Sequence, residues 1–140
     1  MRRLFIDTNV ILDVLLQRDC FWQDSIKIFQ FAELGKVTGI VSASSLTDIF
    51  YIAKKKLTNA GAKLAIENLL SLFEVVNVGK ADLKSALTVA IDDYEDALQV
   101  HCAIKANADT FVTRDVAGFP NVSIKVVSPS EFKHDTSQQT

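Results

Sequence analysis

An α/β fold is predicted, a three-layer α/β/α sandwich around a central, mostly parallel five-stranded sheet. Three observations carry this reading. Short apolar runs without polar alternation look like strands covered on both faces. Longer amphipathic segments separate them, as right-handed crossovers require. Acidic residues recur where a run ends or a helix begins, the edge at which open α/β sheets bind ligands.

The strand candidates are Leu4–Asp7, Thr38–Ser42, Phe73–Val78, Thr110–Thr113 and Lys125–Ser128, enriched in Val, Ile and Phe. Between them, helical patterns cover Asn9–Gln17, Gln23–Leu34, Ser45–Lys56, Ala60–Leu72, Lys80–Ile91 and Tyr94–Ala106. In the helix from Ser45, one stripe carries Leu46, Ile49, Phe50, Ala53 and Leu57. Tyr94–Ala106 is apolar almost all round and is expected to pack deeply. Asp13 is expected on the exposed side of its otherwise apolar helix.

With 140 residues, 49% hydrophobic and 23% charged, the chain suits one packed domain, residues 1–133, with a polar tail at 134–140. A net charge of −2 argues against a protein that wraps nucleic acid by positive charge alone. It leaves room for an enzyme whose bound cations supply positive charge at a phosphate. Cys20 and Cys102 are too few for a disulfide framework or a zinc site. The N-terminus lacks a signal-peptide apolar core, and no run is long enough to span a bilayer, so a cytoplasmic protein without membrane contact is expected.

The first strand ends in Asp7-Thr8-Asn9 and the fourth in Thr113-Arg114-Asp115, while Asp48 and Asp96 sit near helix starts. Each has an ordinary explanation. Ser45-x-x-Asp48 is close to a capping box, Asp93 can cap a helix with Asp96 favoured by the dipole, Asp7 can make an Asx-turn, and Asp115 can belong to the turn before Gly118. Together, four carboxylates at one edge repel one another unless a cation neutralises them, and oxygen donors point to Mg²⁺ or Mn²⁺.

The anchors Phe5-Ile6-Asp7-Thr8-Asn9-Val10, Asp93-Tyr94-Glu95-Asp96-Ala97-Leu98-Gln99 and Ala108-Asp109-Thr110-Phe111-Val112-Thr113-Arg114-Asp115 resemble those of the PIN-domain nucleases, which include the VapC toxins. The resemblance runs from Arg3 to about Phe132. It implies a metal-dependent endoribonuclease in which Asp7, Asp96 and Asp115 hold metal and RNA is the substrate. Asp48 takes the place of an acid that is usually glutamate in the family, as a further ligand or the group that orients water.

Thr8, Asn9, Thr113 and Asp93 are candidates to hold a ligand carboxylate or a phosphate, with Glu95 a further outer member. Thr8 could equally be a helix cap. Lys55, on nearly the face of Asp48, could guide an RNA strand with Arg114, although a lysine run is more often a solvated face. His101 faces away from Asp96 and is not expected to be catalytic. Phe21, Trp22, Ile26, Ile28, Phe29 and Phe31 exceed one buried stripe, which suggests a homodimer face or a groove for an antitoxin helix. The alternative is a PIN-like domain that binds RNA or a protein without cutting. A phosphatase needs an aspartate where Asn9 stands, and a receiver domain needs one after Val76-Asn77-Val78.

Overall fold

The computed structural model describes residues 1–132, so the tail expected at 134–140 lies outside the described residues. Five strands form one sheet in the order β3-β2-β1-β4-β5. They are β1 (Arg2–Ile6), β2 (Val37–Ser42), β3 (Glu74–Val76), β4 (Thr110–Val112) and β5 (Lys125–Val127). Every pairing is parallel, so the sheet is wholly and not merely mostly parallel. The chain builds outward from β1 to one edge, then returns to start the other side at β4. The carboxyl ends of β1 and β4 are therefore the topological switch point, where open α/β sheets hold their ligands.

Alternation along the strands divides the core into two layers. Leu4, Ile6, Val37, Val41 and Val112 face α1 (Thr8–Leu15), α2 (Trp22–Glu33) and α3 (Ala43–Leu72). Phe5, Ile40 and Phe111 face α4 (Lys80–Ala86) and α5 (Tyr94–Lys105). Gly39 of β2 has no side chain because the Phe73 ring occupies that space, and Phe73 meets Phe29 edge-on at 5.1 Å. Arg3 ties the amino ends together, donating to the Ala106 carbonyl at 2.7 Å while its backbone N–H reaches Asp109 at 2.7 Å.

The two helices expected at Ser45–Lys56 and Ala60–Leu72 are present as the two arms of α3, which meet at a non-helical Thr58 (φ 66°, ψ 166°). Thr58 Oγ1 accepts the Gly61 N–H at 3.2 Å and caps the second arm. α4 ends at Ala86 instead of Ile91. Beyond it the backbone turns on short-range bonds, Thr88 N–H to Ser85 O and Ile91 N–H to Val89 O. The β-branched Thr88, Val89 and Ile91 lose rotamer freedom in a helix, which helps to explain the stop.

The apolar surplus of α2 is mostly absorbed by the core. Ile28 and Phe29 are buried, Trp22, Ile26 and Phe31 are half-buried, and Phe21 alone of the six is exposed. The large exposed apolar side chains lie elsewhere, with Tyr51, Ile52, Leu64 and Leu70 on α3. Packed against α1 and β2, α2 keeps one polar stripe, Gln23, Lys27, Gln30 and Glu33, for solvent. No described helix is long and apolar enough to cross a membrane.

Candidate active site at the switch point

Asp7 follows β1 directly and caps α1, so its backbone position is set by both elements. Its carboxylate is only 7% exposed. Oδ1 accepts the Thr8 N–H at 2.8 Å and Gln99 Nε2 at 3.3 Å, and Oδ2 accepts the Thr113 hydroxyl at 2.8 Å. Burial raises the Asp7 pKa, a shift to which Asp115 adds and which the three donors oppose.

The other acids gather round this one. Asp96 stands in the first turn of α5, behind Asp93, whose carboxylate accepts the Asp96 N–H at 2.9 Å as an N-cap. Burial, then Asp7, Asp93, Glu95 and Asp115, push the Asp96 pKa up to about 6. Asp115 follows β4 at the mouth of a short 3₁₀ turn, Val116–Gly118. Gly118 matters there, because a Cβ would sit 2.6 Å from Asp115 Oδ2. The Glu95 pKa is raised by burial and then by the nearby Asp48 carboxylate.

Thus Asp7, Asp96 and Asp115 share one electrostatic site, and Asp48 joins it through Glu95. The ordinary readings fare unevenly. Asp93 does cap its helix. Asp48 is not part of a capping box, since α3 begins at Ala43 with Ser42 as its N-cap residue. Thr8 is not a cap either, because Asp7 occupies that position. Among the described residues no three carboxylate, histidine or cysteine side chains stand close enough together to hold one ion between them as they are placed.

The supporting polar groups are linked. Thr113 Oγ1 accepts the Asp115 N–H at 3.1 Å and Asn9 Nδ2 at 3.4 Å, and Asn9 Oδ1 accepts the Arg114 N–H at 3.2 Å. Sequence reasoning missed the role of Gln99. It is 3% exposed, and its Oε1 accepts the Ser42 and Ser45 hydroxyls at 2.7 and 3.2 Å. An amide three residues after Asp96 in an apolar helix was the available signal.

Asp13 corrects the expectation of an exposed position. It is fully buried, and its oxygens take Arg114 Nε at 2.9 Å and Arg18 Nη1 at 3.3 Å. Arg114 is thereby held away from the acids, with its guanidinium carbon 4.2 Å from the Phe21 ring centre. Lys55 is exposed, while Lys56 donates to the Leu16 carbonyl at 2.8 Å and Lys54 lies over the Tyr51 ring. His101 turns to Asp82, with Nε2 2.9 Å from Oδ1, and Lys105 reaches the other oxygen at 2.9 Å. The backbone N–H of Gly79, then His101 and Lys105, hold the Asp82 carboxyl well below the usual range.

A parallel sheet with acids at its switch point, carried by β1, β4 and α5, defines a PIN-like architecture. The PIN domain family profile matches residues 3–117, and the chain belongs to that family. It is similar to Ribonuclease VapC1 of Aquifex aeolicus (strain VF5), 24% identical over 135 residues that span 93% of this chain and 92% of the relative. Among solved structures it is similar to a toxin–antitoxin complex from Klebsiella pneumoniae (TM-score 0.68, 19% identity, 92% of this chain and 99% of that one). It is also similar to VapBC2 from Rickettsia felis bound to a promoter DNA fragment (TM-score 0.67, 16% identity, 90% and 98%).

Proposed function

We propose that the chain is a Mg²⁺- or Mn²⁺-dependent endoribonuclease and the toxin of a toxin–antitoxin pair. The observation that carries this reading is the convergence of buried Asp7, half-buried Asp96 and exposed Asp115 on one edge of the sheet, where burial and mutual repulsion raise both Asp7 and Asp96. Carboxylates held this way cost the fold stability unless a cation offsets their charge. The donor set is all oxygen, which suits a hard divalent ion. A loose ring is compatible with Mg²⁺, which keeps several waters and takes only one or two direct carboxylates.

When bound, the metal would supply charge neutralisation at the phosphoryl oxygens and an activated water. The chain's own residues position that chemistry. Asp7, clamped by Thr8, Thr113 and Gln99, presents a fixed carboxylate; Asp96 and Asp115 complete the ligand set. Asp48 stands near Glu95, whose pKa its charge raises, and the two carboxyl groups can orient water at the rim. The RNA substrate and the antitoxin partner are supported by the relative named a ribonuclease and the neighbours solved as toxin–antitoxin complexes. A homodimer and a cytoplasmic location belong to the same reading.

The test is cleavage of labelled single-stranded RNA by the native chain and by Asp7→Asn, with Mg²⁺, with Mn²⁺ and with EDTA. Metal-dependent cutting abolished by EDTA and by the substitution is expected. Metal that raises the melting temperature without any cutting would instead favour a non-cleaving RNA- or partner-binding domain.

A further inference from the structure

A cavity of about 230 Å³ lies on the α2 side of Arg114, and no step of the cleavage chemistry uses it; its walls include Phe21, Ser25, Arg114 and Ser130 with the carboxylates of Asp13 and Asp24. That is below the roughly 300–1,000 Å³ of pockets for drug-sized ligands, a size suited to one planar ring system. We infer that this cavity is a subsite for one unpaired base of the RNA, flanking the bond that is cut. The inference rests on the ribonuclease reading and names where its substrate is held.

Three observations converge. Phe21 is 40% exposed, and Arg114 lies against its ring, so an aromatic face and a guanidinium plane stand together at the surface. Bases stack on both kinds of group, and unpaired RNA bases are commonly held this way. Ser25 is fully buried, lines the cavity, and its Oγ has no partner among the described residues. A buried hydroxyl left unpaired costs stability, and a base edge can satisfy it because hydroxyls donate and accept. Polarity is the third: the Arg114 guanidinium, held by Asp13, and the Asp24 carboxylate line the same wall, so donors and an acceptor are both available to a base edge.

The cavity is also tied to the reaction centre. Arg114 precedes Asp115 in the chain, and its N–H bonds Asn9, which bonds Thr113, which bonds Asp7. A base seated here would fix the register of the strand over the acids. The base enters from an unstacked strand, so single-stranded or looped RNA is the expected class.

The test uses a short fluorescent single-stranded RNA of mixed sequence, and the same RNA carrying abasic riboses, with the full chain bearing Asp7→Asn so that nothing is cut. Adding Phe21→Ala should weaken binding of the normal RNA about ten-fold and leave the abasic RNA unaffected. Ser25→Ala should change which base is preferred at one position without lowering the melting temperature, since only an unpaired hydroxyl is removed. Equal affinities for normal and abasic RNA across these variants, or no RNA binding at all, would overturn the subsite. Cleavage by the native chain separates the two readings. RNA cut with the same KM and sequence preference by Phe21→Ala leaves the nuclease standing and removes the subsite. RNA bound as expected but never cut removes the nuclease and keeps the subsite.

Discussion

Gln99 Nε2 donates to Asp7 Oδ1 at 3.3 Å from the far side of the sheet edge, while its carbonyl oxygen takes the hydroxyls of Ser42 and Ser45. Helix α5, the end of β2 and the end of β1 are thereby joined through one buried amide. Its orientation is set by Asp7, since an ionised carboxylate can only accept, and so the NH₂ faces Asp7 while the oxygen is left to the serine hydroxyls. Gln99→Leu would leave Asp7 without one donor and the Ser42–Ser45 pair, 2.7 Å apart, without the oxygen that both face. The expected loss is about 1–3 kcal/mol in denaturant unfolding, together with at least a ten-fold fall in RNA cleavage. A Gln99→Leu chain as stable and active as the native one would show that the amide only fills space.

Gly118→Ala should separate chemistry from folding. The new methyl would meet Asp115 Oδ2 at 2.6 Å, and the carboxylate, being the end of a side chain, would swing aside. Displacement of a ligand by about 1 Å can cost on the order of 100-fold in rate. The melting temperature should barely change while kcat falls; parallel loss of both would mean that the 3₁₀ turn itself had failed.

The raised Asp96 pKa predicts how metal and pH interact. A carboxyl whose pKa is about 6 when folded, above its unfolded value, binds more protons in the folded chain between those limits. Stability contributed by this group is therefore present below its unfolded pKa and is lost as pH rises through about 6. Added Mg²⁺ should raise the melting temperature more at pH 7 than at pH 5, and cleavage should decline as the pH falls below 6. An equal rise at both pH values would place the metal away from Asp96.

The buried Asp13 makes a prediction of unequal losses. Removing both Arg18 and Arg114 leaves an uncompensated carboxylate inside the core, at a cost of about 3–5 kcal/mol. Asp13→Ala leaves only two partly exposed guanidiniums, which water can solvate. The double arginine variant should therefore unfold at lower urea than Asp13→Ala. The opposite order would mean that Asp13 relaxes to solvent when its partners go.

Asp48→Asn should lower the proton affinity of Glu95, because the adjacent carboxylate is a cause of its rise. Carboxyl resonances followed by NMR would read this directly, and an unmoved Glu95 would place the two side chains apart in solution. Cleavage should fall less than in Asp7→Asn, since Asp48 meets the site through Glu95.

Short-range chemistry was legible in the chain alone. The apolar runs announced strands because burial on both faces leaves no room for polar alternation, and Asp7 and Asp115 stood out because they end such runs. Their place at one edge followed from parallel strands joined by helices, whereas the pairing of β1 with β4 that brings them together is decided by the tertiary structure. Other features depended on neighbours distant in sequence. Asp13 lies on an apolar helix, yet whether such an acid faces water or a cation depends on Arg114, 101 residues away. Gln99 is polar in an apolar stripe, and only packing against Asp7 and Ser42 shows that it is a brace. Glu95 feels the charge of Asp48 although the two are 47 positions apart, because the starts of α3 and α5 meet at one edge of the sheet, where Ser45 bonds Gln99. Periodicity states which side of a helix is buried; the charge found there is chosen by what the fold brings against it.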